Sequence, residues 1–221
     1  MSFPLTVGGR EIPDPPSLAT LVRMDAGAAS GQVVPGKRPA EWVADLVADG
    51  ALEQRLAVGL AAALIQHPAA ETVCEGARLA VALGEPVLGR VILRALDAHD
   101  TGLLLGTDPA DPAASVEDVL LRGGVALAEL SDDAVRGALL ERLRHAGLPG
   151  LEVAVLARWS TPEELRQWLP AVLAEALTEA GVAALADRLA VGDEGAEVVE
   201  HALADAPDAA ARIRARGTSP T

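Results

Sequence analysis

From Pro39 onward, apolar residues recur every three or four positions, in runs closed by a glycine, a proline or a short polar turn. That spacing puts the apolar side chains of each run on one face of a helix. Trp42, Val43, Leu46 and Val47 make the first stripe, with Gly50 where a C-terminal cap belongs. Leu52, Leu56, Leu60 and Leu64 make the second, stopped at His67-Pro68. The pattern predicts a third helix over about 69–83 and a fourth over about 85–98, with Leu88, Val91, Ile92 and Ala95 facing inward. A break at 100–115 holds Gly102, Gly106, Pro109 and Pro112. Beyond it, helices are expected at roughly 116–130, 132–146, 150–158, 162–179, 181–191 and 194–205. Thr161-Pro162-Glu163-Glu164 combines a capping Thr, Pro at the first helical position and Glu at the third. Pro170 is expected to kink or split the helix that follows.

Half the residues are hydrophobic, yet aromatics make up only 2%, with no tyrosine and one phenylalanine, Phe3. The core must therefore be Leu, Val and Ala, side chains that suit close helix–helix contact and favour helix over sheet. A length of 221 residues allows one large domain or two small ones.

Residues 1–37 differ from the rest. Leu5 to Ile12 reads as two short strands joined by Gly8-Gly9, ended by Pro13, Pro15 and Pro16. A short helix from about Ser17 to Met24 is expected next, with Ser17 as its cap. Ala26 to Lys37, rich in Gly, Ala and Ser, reads as a mobile linker. The expected organisation is a hairpin and linker over 1–37, a helical domain over 38–208 and a tail over 209–221.

One phrase recurs: an apolar residue, a small or polar turn, an acidic residue or proline, then an amphipathic helix. It stands at Leu83-Gly84-Glu85-Pro86, Leu130-Ser131-Asp132-Asp133, Trp159-Ser160-Thr161-Pro162 and Val191-Gly192-Asp193-Glu194. A period near 30 residues built of helix pairs points to a solenoid, because one helical hairpin cannot bury its apolar face alone. These residues, over about 38–205, resemble short HEAT-like repeats of the phycobilin-lyase type. Pro170 matches the proline many such repeats carry in a helix, while their regular Asp/Arg turn pair is missing. The resemblance implies an all-α fold, a short α-solenoid of HEAT-like helical hairpins, and a protein-binding scaffold rather than an enzyme.

Charge narrows the partners. The formal net charge is −14, and Arg10, Arg23 and Lys37 cancel Glu11, Asp14 and Asp25 in the first 37 residues, so the helical part carries the excess. A negative field repels phosphate backbones and disfavours nucleic acid. The expected partner is another protein with a basic surface. No apolar run approaches the roughly 20 residues of a membrane span. The N-terminus lacks a basic region followed by an apolar stretch, and the single Cys74 calls for no oxidising compartment, so a cytoplasmic protein is expected.

Candidate chemistry is sparse. His67, His99, His145 and His201 fall near helix C-terminal halves, where an imidazole covers free carbonyls. Glu197 and His201, with Glu200 beside them, and Glu71 and Glu75 have helical i,i+4 spacing and read as surface pairs rather than metal ligands. Cys74 reads as a buried, inert thiol. Thr101 to Gly106 lacks the Lys-Ser or Lys-Thr of a phosphate loop. No catalytic residue, cofactor or metal site is expected. Trp42, Trp159 and Trp168 are the candidate interface anchors. The expected function is a non-enzymatic interaction module, an adaptor, chaperone or inhibitor-like protein that presents an acidic helical surface. Two alternatives remain: an enzyme or small-ligand-binding protein with a site near 97–118, where Asp97-Ala98-His99-Asp100 leads into the break, and an assembly subunit that pairs through its N-terminal hairpin.

Overall fold

In the computed structural model, which describes residues 3–28, 31–128, 133–146, 149–175 and 177–217, Gly8 and Gly9 both take positive φ, 55° and 76°. That turn matches the twist of the strands it joins, β1 (Leu5–Val7) and β2 (Arg10–Ile12), which pair antiparallel with Val7 opposite Arg10. The hairpin read from the sequence is present. Helix α1 (Pro15–Ala26) starts earlier than expected. Asp14 is its cap, accepting from the Ser17 N–H at 2.8 Å, and Pro15 and Pro16 occupy first-turn positions that need no donor. The prolines open the helix as well as ending the hairpin.

The stretch before α2 (Pro39–Ala48) is built in rather than loose. Asp25, buried near the end of α1, accepts from the Gln32 N–H at 2.6 Å, the Val33 N–H at 3.1 Å and the Trp42 indole at 3.2 Å. One carboxylate thus joins α1, the turns at 31–37 and α2. The Gly8 turn lies so close to this segment that a Cβ there would stand 1.9 Å from the Val33 carbonyl oxygen.

Four more helices of at least three turns complete most of the first unit, Met1–Leu139: α3 (Gln54–Ile65), α4 (Ala70–Leu83), α5 (Val87–Ala98) and α7 (Val116–Ala128). Between α5 and α7 lie a single turn, α6 (Thr101–Leu104), and a second hairpin, β3 (Thr107–Asp108) with β4 (Asp111–Ser115). The break expected at 100–115 is therefore structured. Helix α4 lies at the centre, against α1, α2, α3, α7 and β3, and it buries residues around its whole circumference. Helix α5 sits against α3 and α7. Helix α8 (Asp133–Ala146) runs across the boundary into the second unit.

The second unit, Leu140–Thr221, holds α9 (Pro149–Trp159), α10 (Pro162–Ala174), α11 (Glu179–Val191), α12 (Glu194–Leu203) and α13 (Pro207–Gly217). Helix α11 lies against α9, α12 and α13, and α10 against α12, around Leu169, Leu185, Val199 and Ile213. Thr161 and Glu164 form the capping box read from the sequence. Pro170 does not split α10, which runs through it but ends at Ala174 rather than near 179. Residues read as a tail belong to α13, which buries Ala210 and Ile213. The turn expected at 130–132 lies outside the described residues. Among those residues the fold is mainly helical, with thirteen helices, packed helix pairs and two small hairpins.

Two glycines in neighbouring helices give opposite expectations. A Cβ on Gly76 of α4 would stand 2.7 Å from the Ile65 nitrogen and 2.8 Å from the Leu64 Cβ, so the α3–α4 contact has no room for it. Gly59 of α3 is exposed, and a Cβ there meets nothing within 4 Å. Gly76→Ala is expected to destabilise by about 1–3 kcal/mol through overpacking. Gly59→Ala is expected to stabilise by roughly 0.5–1 kcal/mol through helix propensity. Urea unfolding midpoints of the two variants check both signs.

Candidate cleft and its buried ion network

Helix α4 carries a charged residue where its periodicity asks for an apolar one. Glu75 follows Thr72 and precedes Leu79 at helical spacing, and all three are buried, Glu75 completely. An isolated carboxylate there would cost several kcal/mol. Its partners remove that cost. Oε1 accepts from the Arg38 Nε at 2.5 Å and from Arg78 at 2.9 Å, and Oε2 accepts from the Ala40 N–H at 3.2 Å. Ala40 lies in the first turn of α2, where free N–H groups and the helix dipole favour an anion.

Arg78, one turn on from Glu75, carries the network outward. Its other terminal nitrogen donates to Asp108 of β3, also buried, whose second oxygen accepts from the Ala110 N–H at 3.0 Å. Glu75, Asp108, Arg38 and Arg78 thus form a neutral quartet that ties the start of α2, the centre of α4 and the β3–β4 hairpin together. Burial alone would push the Arg78 guanidinium down, but the charges of Glu75 and Asp108 outweigh it and hold it above its ordinary value. Cys74, fully buried beside this network, has its thiol pushed up to about 12, by burial first and by Asp108 next. It is the inert thiol expected from the sequence.

The hairpin so anchored forms one wall of a cleft of about 750 Å³. Ala77, Arg78 and Val81 of α4 line one side, and Val119, Arg122 and Gly123 of α7 line another. Asp111, Ala113 and Ala114 of the hairpin face them. The cleft's carboxylates also hold the local backbone in place. Asp111 accepts from the Ala113 N–H at 3.1 Å, and Asp118 from the Ser115 N–H at 2.9 Å while the Ser115 hydroxyl accepts from the Asp118 N–H at 3.0 Å. In the second unit, a smaller groove of about 450 Å³ lies between α10 and α12, with Leu169, Pro170, Glu197, Val198, His201 and Asp205 in its lining.

The residues singled out from the sequence are dispersed. Trp42 is buried and bonded to Asp25. Trp159 ends α9, half-buried, and Trp168, also half-buried, donates to the Ser160 hydroxyl at 3.0 Å. His99 bonds through Nε2 to the Ile65 carbonyl at 2.9 Å, while His67 Nδ1 accepts from the Ala69 N–H at 3.1 Å. His145 bonds through Nδ1 to the Glu141 carbonyl at 2.7 Å. Glu197 and His201 line the α10–α12 groove together. Glu75 is a correction: it is a buried ion-network centre and not half of a surface pair with Glu71. Sequence reasoning missed Arg38, Arg78 and Asp108, because each meets its partner through the tertiary fold; Glu75 alone left a trace, as a charge inside an apolar stripe.

No protein family matches the chain, and neither a curated protein nor a solved structure does. Among the described residues no group of three or more His, Cys, Asp or Glu side chains is placed to hold a metal, and no helix is long and apolar enough to cross a membrane.

Removing the central guanidinium leaves two buried carboxylates short of a cation. Arg78→Ala is expected to destabilise by about 3–5 kcal/mol, measured by urea unfolding; a loss below 1 kcal/mol contradicts the quartet's role. Cys74 gives a pH test. Unfolding returns its thiol to the ordinary value of 9.0, so over that range the unfolded chain releases a proton the folded one keeps. Its contribution to stability is full below pH 9 and falls as pH rises towards about 12. Unfolding midpoints of Cys74→Ala should therefore decline less steeply with alkaline pH than those of the parent chain.

Proposed function

We propose that this chain is a non-enzymatic interaction module of helical-repeat type that binds a segment of another protein in the cleft between α4, α7 and the β3–β4 hairpin. The observation that carries this reading is the way the cleft is built. The hairpin buries little of itself, since most of β4 is exposed, and yet it is fixed by a buried ion network. Such networks are weak contributors to net stability compared with apolar contact, and their best-attested use is to specify one arrangement. Here the arrangement specified is a wall of a concave site, set before any partner arrives.

The chemistry of the lining supports binding over catalysis. Asp108 and Arg78 are held in the ion network, and Asp111 and Asp118 each spend one oxygen on hairpin or helix-start backbone. The repeat reading draws support from contacts inside each unit, where helices touch those one and two places along: α9 with α11, α10 with α12, α11 with α13. A second reading, a small-molecule site in the same cleft, is favoured by its volume, which falls within the roughly 300–1,000 Å³ usual for ligand pockets.

Ala113, exposed on the hairpin and facing the cleft, separates these readings from none at all. Ala113→Trp is expected to fill the cleft without touching the core. Affinity purification of tagged parent and variant from the native cells should yield a co-purifying protein with the parent only. If the same protein comes down with both, the cleft is not its binding site.

A further inference from the structure

The charges lining the cleft say what its occupant presents. Glu75, Asp108, Arg38 and Arg78 pair off and sum to zero, so they shape the wall without setting its sign. Asp111, Asp118 and Arg122 remain, two negative charges against one positive. Asp111 spends Oδ1 on the Ala113 amide and Asp118 spends Oδ2 on the Ser115 amide, which leaves each carboxylate a second oxygen able to accept. Neither is ion-paired within the described residues, and Arg122, four places along α7 from Asp118, does not bridge to it.

Acidic residues also outnumber basic ones across the whole first unit, so the field around the cleft is negative. An incoming cation is drawn in and finds two carboxylates; an incoming anion meets one guanidinium against that field. Between the charges the walls are alanines and valines, among them Ala77, Val81, Ala113, Val119 and Ala126, side chains with no polar atoms. They suit a methylene stem that ends in a charge.

We propose that the cleft receives a lysine or arginine side chain from a segment of the partner protein. The stem lies along the alanines and the head group donates to the Asp111 and Asp118 carboxylates. The inference rests on the interaction-module reading and names the chemistry of its partner.

Panning a random dodecapeptide library against the full chain tests it. Asp111→Asn with Asp118→Asn is the informative double variant, because asparagine keeps a side-chain oxygen for the Ala113 and Ser115 amides and far-UV circular dichroism can confirm the fold. Selected peptides are expected to carry Lys or Arg among small apolar residues. They should bind the double variant about tenfold more weakly, bind Arg122→Gln several-fold more tightly, and lose affinity with added salt. Acidic or uncharged peptides, no selected peptide, or equal affinity for the double variant overturns the proposal. Free spermidine binding as tightly as the peptides overturns the assignment to a protein segment. If Ala113→Trp removes the native complex while the double variant does not weaken it, the charge inference fails and the module reading stands. If Ala113→Trp leaves that complex intact, the module reading itself fails.

Discussion

A carboxylate with no exposure, at the middle of the most enclosed helix of its unit, sets the terms for everything around it. Glu75 is tolerable only because two guanidinium groups and a helix N-terminus converge on it. Those donors serve two requirements. Arg38 and Ala40 fix where α2 begins relative to α4, and Arg78 must stay in reach of Glu75 while it also holds Asp108. The hairpin that follows α5 is placed by that last contact, and the cleft exists because the hairpin is placed. Asp25 plays a parallel part at the N-terminus, where three donors from two segments, the turn at 32–33 and α2, replace the apolar burial that a short hairpin and a run of turns cannot supply.

What local chemistry decides was legible. The Gly8-Gly9 turn, the capping box at Thr161 and the apolar stripes of α2, α3 and α5 are each written within a few residues, and each is present in the fold. Composition was a sound guide to helix, because an aliphatic core with almost no aromatics leaves few other ways to bury itself. Pro170 does not split α10, which continues past it to Ala174 with Leu165 and Leu169 buried ahead of it. The stretch from 209 onward read as a tail, yet Arg212 reaches the Leu177 carbonyl at 2.9 Å and Glu179, while Ile213 enters the core.

The cleft was only half legible. The sequence drew attention to the region around 97–118 by its irregularity, but Asp-Pro-Ala-Ala-Ser has no β-former, and nothing local makes it a strand. It is extended because β3 is anchored from elsewhere. Arg38 meets Glu75 across 37 positions and Arg78 meets Asp108 across 30, separations at which one sequence carries no sign of contact. The tryptophans illustrate the converse. Their size made them stand out, whereas in the fold Trp42 serves Asp25 and Trp168 serves Ser160.

The cleft depends on the ion network, more than on apolar contact, to hold the β3–β4 hairpin in place. Native-state hydrogen exchange of Asp108→Asn measures this most directly, because the Val116 amide bonds the Gly106 carbonyl at 2.8 Å and reports hairpin closure. Amides from 107 to 116 are expected to lose protection while those of α3 and the central turns of α4 keep theirs. Unchanged protection across the hairpin would contradict that dependence.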